Sequence, residues 1–178
     1  LEPGSVDLMP IIETAKGLHF VYEILTATPR LRRVCFGAGD FTRDLNLTWT
    51  RDESELFYAR SKVVTESRAA DREAPVDTVW VDLTDDEGVV ASSKLARRLG
   101  FQGKLAIHPK QVEPMNRVFG SIGAAELDFA QKVVTGFAEA EAKGIASLTV
   151  DGQFIDYPIV EKAQRIVELY NRYGIVEG

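Results

Sequence analysis

The feature that most constrains this chain is an alternation. Short apolar runs are each followed by a helix-patterned stretch, four times in succession. Such alternation argues for parallel strands joined by crossover helices, hence an α/β fold. Strands are expected at about residues 7–12, 33–36, 78–82 and 104–107, and helices at about 14–28, 52–73, 86–99 and 109–119. The first helix stops ahead of Pro29, because the residue before a proline disfavours helical geometry. The helix over 86–99 ends at Gly100, a residue suited to a left-handed C-terminal cap. Within 52–73, Leu56, Ala59, Val63 and Ser67 recur near helical spacing. The stretch from the second strand to about residue 50, rich in Asp, Asn, Thr and Arg, reads as a loop. A helix over 124–143, an extended piece over 147–150, the turn Asp151-Gly152 and a last helix over 158–173 complete the chain, with Pro158 in a first helical turn.

Four strand–helix units are half of a (β/α)₈ barrel, which needs ~250 residues when whole. Half a barrel leaves two open edges and an unfilled interior. Four or five strands can instead complete an open doubly wound sheet. Composition does not choose between the two. No glycine-rich phosphate-binding turn follows the first strand, which argues against the dinucleotide-binding version. The chain begins Leu1-Glu2-Pro3-Gly4-Ser5, with no Met and no targeting segment, and enters a buried-type strand within ten residues. It reads as the middle of a protein.

The 178 residues, 45% apolar and 27% charged, suit one soluble globular domain with a sizeable core. A net charge of −6 argues against nucleic acid or an anionic membrane surface as partner. No apolar run approaches the ~20 residues that span a bilayer. The single cysteine, Cys35, excludes an internal disulfide and fits a reducing, cytoplasmic setting. In the run Val34-Cys35-Phe36 it reads as a small core side chain rather than a reactive thiol.

Two carboxylates stand out by position. Glu13 ends the first strand and Asp40 lies just past the second, at the C-terminal strand ends where parallel α/β folds build their sites. Neighbouring strands lie about 4.8 Å apart, so the two acids could share one hard cation. Mg²⁺ suits one or two carboxylates with waters and substrate oxygens completing the octahedron. The alternative is equally simple: Glu13 as a helix N-terminal acid and Asp40 as a loop cap. Gly37-Ala38-Gly39-Asp40 is either an anion-binding nest of backbone amides or a plain tight turn. His108 is read as a local hydrogen-bonding residue and His19 as structural. With only two histidines, a His-rich zinc site does not fit. Asp82, Asp85 and Asp86 are read as helix caps, and so, on position alone, is Asp156.

The motifs in order carry a resemblance. Pro10-Ile11-Ile12-Glu13-Thr14-Ala15-Lys16-Gly17 resembles the IETxxG strand of the HpcH/HpaI aldolase and citrate-lyase beta-chain superfamily. Phe36-Gly37-Ala38-Gly39-Asp40-Phe41 resembles its FGxxD loop, and Ile107-His108-Pro109-Lys110-Gln111 its IHPxQ segment. Residues 77–86 and Leu99-Gly100-Phe101-Gln102-Gly103-Lys104 continue the match. Asp151-Gly152 with Asp156-Tyr157-Pro158 is similar to the DGxxxDxP tail of the CoA-ester lyase branch. The resemblance implies the last four strand–helix units of a TIM barrel over residues 1–122 and a helical extension or lid over 123–178. It implies Mg²⁺, with Mn²⁺ able to replace it, held by Glu13 and Asp40. It further implies amides of Ala38, Gly39 and Asp40 on the carboxylate of a 2-oxo acid, and Asp156 as general acid/base on a neighbouring subunit. Gly39 stands where the family often has Glu, so a side-chain role there is lost while a backbone role is not.

The implied reaction cleaves a 3-hydroxyacyl-CoA thioester of the malyl-, methylmalyl- or citramalyl-CoA type to acetyl-CoA or propionyl-CoA and a 2-oxo acid. The expected assembly is a homotrimer or homohexamer. The alternatives are a class II pyruvate aldolase acting on free 4-hydroxy-2-oxo acids, a malyl-CoA thioesterase and a non-catalytic subunit.

Overall fold

A computed structural model describes residue 2, residues 4–173 and residues 176–177 of the chain. It separates into two compact units, residues 1–119 and residues 120–178.

The first unit is built on a four-stranded parallel sheet in the order β1-β2-β3-β4. The strands are β1 (Ile11–Ile12), β2 (Cys35–Phe36), β3 (Val76–Asp77) and β4 (Gly103–Lys104). Sequential strands are neighbours throughout, as crossover connections through helices require. The ladder pairs Ile11 with Cys35, Cys35 with Val76, and Val76 with Gly103. Ile12, Phe36, Asp77 and Lys104 follow one residue on and form the next row. The paired segments are shorter than the expected strands, and β3 lies upstream of the expected 78–82. There the apolar run Thr78-Val79-Trp80 leaves the ladder, and Trp80 packs on Val89 and Met115 instead.

The intervening helices cover one face of the sheet. The expected first helix is two pieces, α1 (Ala15–His19) and α2 (Val21–Thr26), broken at Phe20, whose φ of −105° and ψ of 28° lie off the helical basin. The long helix is a 3₁₀ turn at Ser54–Leu56 running into α4 (Phe57–Ala69). Leu56, Ala59, Val63 and Ser67 are all buried, as their spacing predicts. With Ile12, Leu18, Val21, Leu25 and Phe36 they form the main core. A correction falls between β2 and this helix: the expected loop contains α3 (Ala38–Leu45), closed by Asn46 in the left-handed conformation. Asparagine tolerates that conformation because its short polar side chain can bond locally. α5 (Asp86–Leu99) matches its expected bounds and ends on Gly100 at φ 101°. A 3₁₀ turn at Pro109–Gln111 leads into α6 (Val112–Gly120).

In the second unit, α7 (Ala124–Glu141) and α8 (Tyr157–Tyr173) enclose a small core of Ala130, Val133, Phe137, Ile155, Val160 and Ala163. Between them β6 (Leu148–Val150) and β7 (Gln153–Ile155) form an antiparallel hairpin. Its turn is Asp151-Gly152, both at positive φ, 48° and 81°, the pattern of a two-residue hairpin turn. β5 (Ile122–Gly123) pairs in parallel with β8 (Val176–Glu177).

No helix among the described residues is long and apolar enough to cross a membrane.

Candidate active site

The C-terminal tips of β1 and β2 are tied together by backbone. Cys35 donates its amide to the Pro10 carbonyl at 2.8 Å, and Gly37 donates to the Ile12 carbonyl at 2.9 Å. Glu13 follows Ile12 and lies half-buried over Gly37. A Cβ placed on Gly37 would stand 3.0 Å from Glu13 Cβ, 3.1 Å from Glu13 Oε2 and 2.8 Å from Ile11 Cγ2. The glycine is therefore the floor on which the Glu13 side chain rests. Thr14 caps α1 by accepting the Gly17 amide, and the Asp44 carboxylate of α3 accepts the Ala15 amide at 2.8 Å. That bond joins α3 to the tip of β1.

Gly37-Ala38-Gly39-Asp40 is the N-terminus of a helix, neither a free nest nor a plain turn. A helix start presents amides with no carbonyl behind them. Here Gly37 is the cap, and Phe41 donates to its carbonyl at 3.2 Å. The Ala38 amide donates to Thr78 Oγ1 at 2.8 Å in a fully buried bond. Among the described residues, the Gly39 and Asp40 amides have no intramolecular partner. Both residues are exposed. Among the described residues the Asp40 carboxylate pairs with Arg43 alone, at 3.1 Å, in an exposed pair. Such pairs contribute ~0–1 kcal/mol and release readily.

Glu13 and Asp40 thus both adjoin Gly37, one resting on it and the other in the helix it caps. Both offer hard oxygen donors. Among the described residues no cluster of three or more His, Cys, Asp or Glu could hold a metal. A two-carboxylate edge with open coordination positions fits Mg²⁺, which dehydrates reluctantly and keeps waters, and does not fit zinc.

The neighbouring loops behave as capping structure. Asp85 caps α5 by accepting the Gly88 amide at 2.8 Å. It also pairs with both nitrogens of Arg51 that face it, and these bonds hold its carboxyl below the usual range. Asp82 accepts from the Thr84 amide and hydroxyl, which lower its pKa in the same way. A cleft of about 240 Å³ lies here, lined by Trp49, Thr50, Arg51, Trp80, Asp82 and Asp85. His108 Nδ1 accepts the Lys110 amide at 3.2 Å, the local role its position suggests. His19 is exposed and meets Phe20 edge-on at 4.5 Å between centroids. Cys35 is buried, and desolvation pushes its thiol pKa up, away from reactivity.

Beneath the tips lies a charge cluster the sequence did not announce. Arg60 of α4 donates to both oxygens of Asp77 at 2.9 Å and to Glu53 at 2.9 Å. Lys104 of β4 reaches the same Asp77 at 2.8 Å, and Ser92 of α5 donates to Glu53 at 2.6 Å. The two cations and two anions are fully buried, with side-chain exposures of 0–1%. Burial lowers the Lys104 pKa, and Asp77 opposes that shift. The row Ile12-Phe36-Asp77-Lys104 is thus apolar over β1 and β2 and ionic over β3 and β4.

The sequence model described as HpcH/HpaI aldolase/citrate lyase matches residues 1–109. The chain belongs to this family. It is 36% identical over 175 residues to the citrate lyase subunit beta of Leuconostoc mesenteroides subsp. cremoris, covering 98% of this chain and 57% of that protein. It is 33% identical over 172 residues to the mitochondrial citramalyl-CoA lyase of Mus musculus, covering 92% of this chain and 50% of that protein. The crystal structure of Mycobacterium tuberculosis CitE in complex with magnesium, acetoacetate and coenzyme A superposes with a TM-score of 0.79 at 23% identity, over 94% of this chain and 62% of that one. That likeness establishes the shared α/β fold. The chain spans about half the length of the curated relatives it matches.

In this HpcH/HpaI-family chain, Glu13 rests on Gly37 at the tip of β1, and Ala38, Gly39 and Asp40 form the first turn of the helix that Gly37 caps. The fifth residue singled out from the sequence, Asp156, belongs to the second unit, half-buried just ahead of α8. Its carbonyl accepts the amides of Ile159 at 3.1 Å and Val160 at 3.0 Å, opening the helix. Sequence reasoning missed Thr78 and the Arg60–Asp77 pair. A cue existed for the latter: Arg60 falls four residues after Leu56, on the face that Ala59 and Val63 bury.

Proposed function

We propose that the chain is the second half of the (β/α)₈ barrel of a Mg²⁺-dependent carbon–carbon lyase acting on a 3-hydroxyacyl-CoA thioester. Residues 1–122 supply four strand–helix units and residues 123–178 a C-terminal extension. The observation that carries the reading is Glu13 resting on Gly37, the cap of a helix whose first turn bears Asp40 and two unpartnered amides, in a chain whose relatives are named lyases.

Glu13 and Asp40 hold the ion. Bound there, Mg²⁺ supplies Lewis-acid charge for the oxyanion and carbonyl that develop at the carbinol carbon. The amides of Gly39 and Asp40, at the positive end of α3, donate hydrogen bonds to the carboxylate of the 2-oxo acid. Ala38 contributes by position, its own amide being held by Thr78. A base takes the proton of the substrate hydroxyl, and the carbonyl of the 2-oxo acid forms as the carbon–carbon bond breaks. The electron pair passes to the thioester as an enolate, and Asp156 delivers the proton that turns it into acetyl- or propionyl-CoA. In the proposed oligomer, a trimer or hexamer, Asp156 acts on a neighbouring subunit. The substrate is of the malyl-, methylmalyl- or citramalyl-CoA type, and the setting is cytoplasmic.

The test uses the full-length protein with malyl-CoA and citramalyl-CoA, against free 4-hydroxy-2-oxo acids. Asp40→Asn is expected to abolish cleavage of the thioester and Mg²⁺ binding together. Asp156→Ala is expected to lower kcat by about 10²–10⁴-fold while leaving Mg²⁺ affinity unchanged. Undiminished lyase activity in Asp40→Asn would remove the metal assignment. Cleavage of the free acids alone would make the protein an aldolase.

A further inference from the structure

We infer that Thr78 is a positioning residue for the carboxylate subsite: it dictates which backbone amides α3 presents to a ligand. The inference rests on the site reading above and names what arranges it. Thr78 follows Asp77 at the end of β3 and is 1% exposed, and the Ala38 that it meets is 0% exposed. Its hydroxyl accepts the Ala38 amide at 2.8 Å across 40 residues of sequence. The strand can aim this hydroxyl because Asp77, one residue earlier, is clamped on the opposite face by Arg60 and Lys104. Of the orphan amides at the start of α3, Gly37 is satisfied by Ile12 and Ala38 by Thr78. The pair remaining is Gly39 and Asp40. An acceptor lost at Thr78 leaves a buried amide without a partner, and such a group is costly enough to turn the first helical turn until it finds one. The turn would carry the Gly39 and Asp40 amides out of register with a ligand carboxylate. The Asp40 side chain, exposed and tethered to Arg43, could still reach the ion.

This separates Thr78 from a merely structural residue. In the full-length protein, Thr78→Val keeps the shape and removes the acceptor, whereas Thr78→Ser keeps the acceptor. Binding of pyruvate or glyoxylate in the presence of Mg²⁺, read by calorimetry, should weaken about tenfold in Thr78→Val and return to the wild-type value in Thr78→Ser. Mg²⁺ affinity measured without oxo acid should not change. KM for the thioester should rise with little change in kcat, and the Ala38 amide should exchange faster with solvent in Thr78→Val alone. If Thr78→Val does not fold, Thr78→Ala is read in the same way. Oxo-acid binding that is lost in Asp40→Asn but intact in a folded Thr78→Val overturns the Thr78 assignment alone. So does weak binding in Thr78→Ser. A wild-type protein that binds no 2-oxo acid with Mg²⁺ overturns the site reading, and this inference with it.

Discussion

Gly37 has φ −116° and ψ 92°, a conformation open to any residue, so what it supplies is space. Alanine there would stand 2.8 Å from Ile11 Cγ2, nearer than a Cβ tolerates, and 3.0–3.1 Å from Glu13 Cβ and Oε2, tighter than an ordinary contact. All three atoms belong to side chains, so the Ile11 and Glu13 side chains must shift to admit the methyl group. Gly37→Ala is expected to destabilise the protein by about 1–3 kcal/mol, the usual cost of overpacking. Under the proposed reading it should also weaken Mg²⁺ binding, because Glu13 is displaced from Asp40. Denaturant melts of the full-length protein with and without Mg²⁺ separate the two effects. A variant with wild-type Mg²⁺ stabilisation would mean that Glu13 does not hold the ion. Glu13 and Asp40 could be picked out in sequence because one directly follows a strand and the other lies a few residues past the next, in a parallel pattern. Thr78 could not, since its partner lies 40 residues away and its neighbours read as an ordinary apolar run.

At the level of elements, the sheet is short in hydrogen bonds and held instead by what packs on it. Over β1 and β2 that is the apolar core of α1, α2 and α4. Over β3 and β4 it is the Arg60, Glu53, Asp77 and Lys104 cluster, which joins α4, β3, β4 and the 3₁₀ turn before α4. Buried ions are costly to desolvate, and removing one partner strands the others. Asp77→Ala leaves Arg60 and Lys104 facing each other without their shared anion. It is expected to cost about 3–5 kcal/mol, measured by urea unfolding. A loss under about 1 kcal/mol would show that water replaces the carboxylate freely. α5 was legible to the residue because Asp85 and Gly100 mark its ends chemically. α3 was missed because its sequence, with two Asp, a Thr and a Gly, carries loop composition. Its register comes from the bond to Thr78 and from Asp44 reaching back to Ala15.

Across the molecule, β1 and β4 each have one strand neighbour among the described residues. Ile11 and Met9 are 51% and 43% exposed along the β1 edge. Open strand edges with apolar side chains recruit other chains. Under the half-barrel reading, residues 1–178 produced alone should bind a hydrophobic dye and elute above monomer size, whereas the full-length protein should show neither behaviour attributable to this edge. A monomeric fragment that binds no dye would favour a complete open sheet. Family membership places the chain beside longer relatives, with which it shares about half their length.

The sequence by itself determined the alternation of strands and helices apart from α3, the ends of α5, the buried face of α4 and the position of Glu13 directly after β1. Each is written in local terms: periodicity, a cap, or a position after an apolar run. Only the tertiary structure decided where β3 enters the ladder, that Arg60 turns inward, that a helix begins at Ala38, and which amides that helix leaves open. Those outcomes depend on partners distant in sequence, Arg60 with Asp77 across 17 residues, Ala38 with Thr78 across 40, and Cys35 with Val76 in the ladder. Only folding brings such partners within reach of a hydrogen bond.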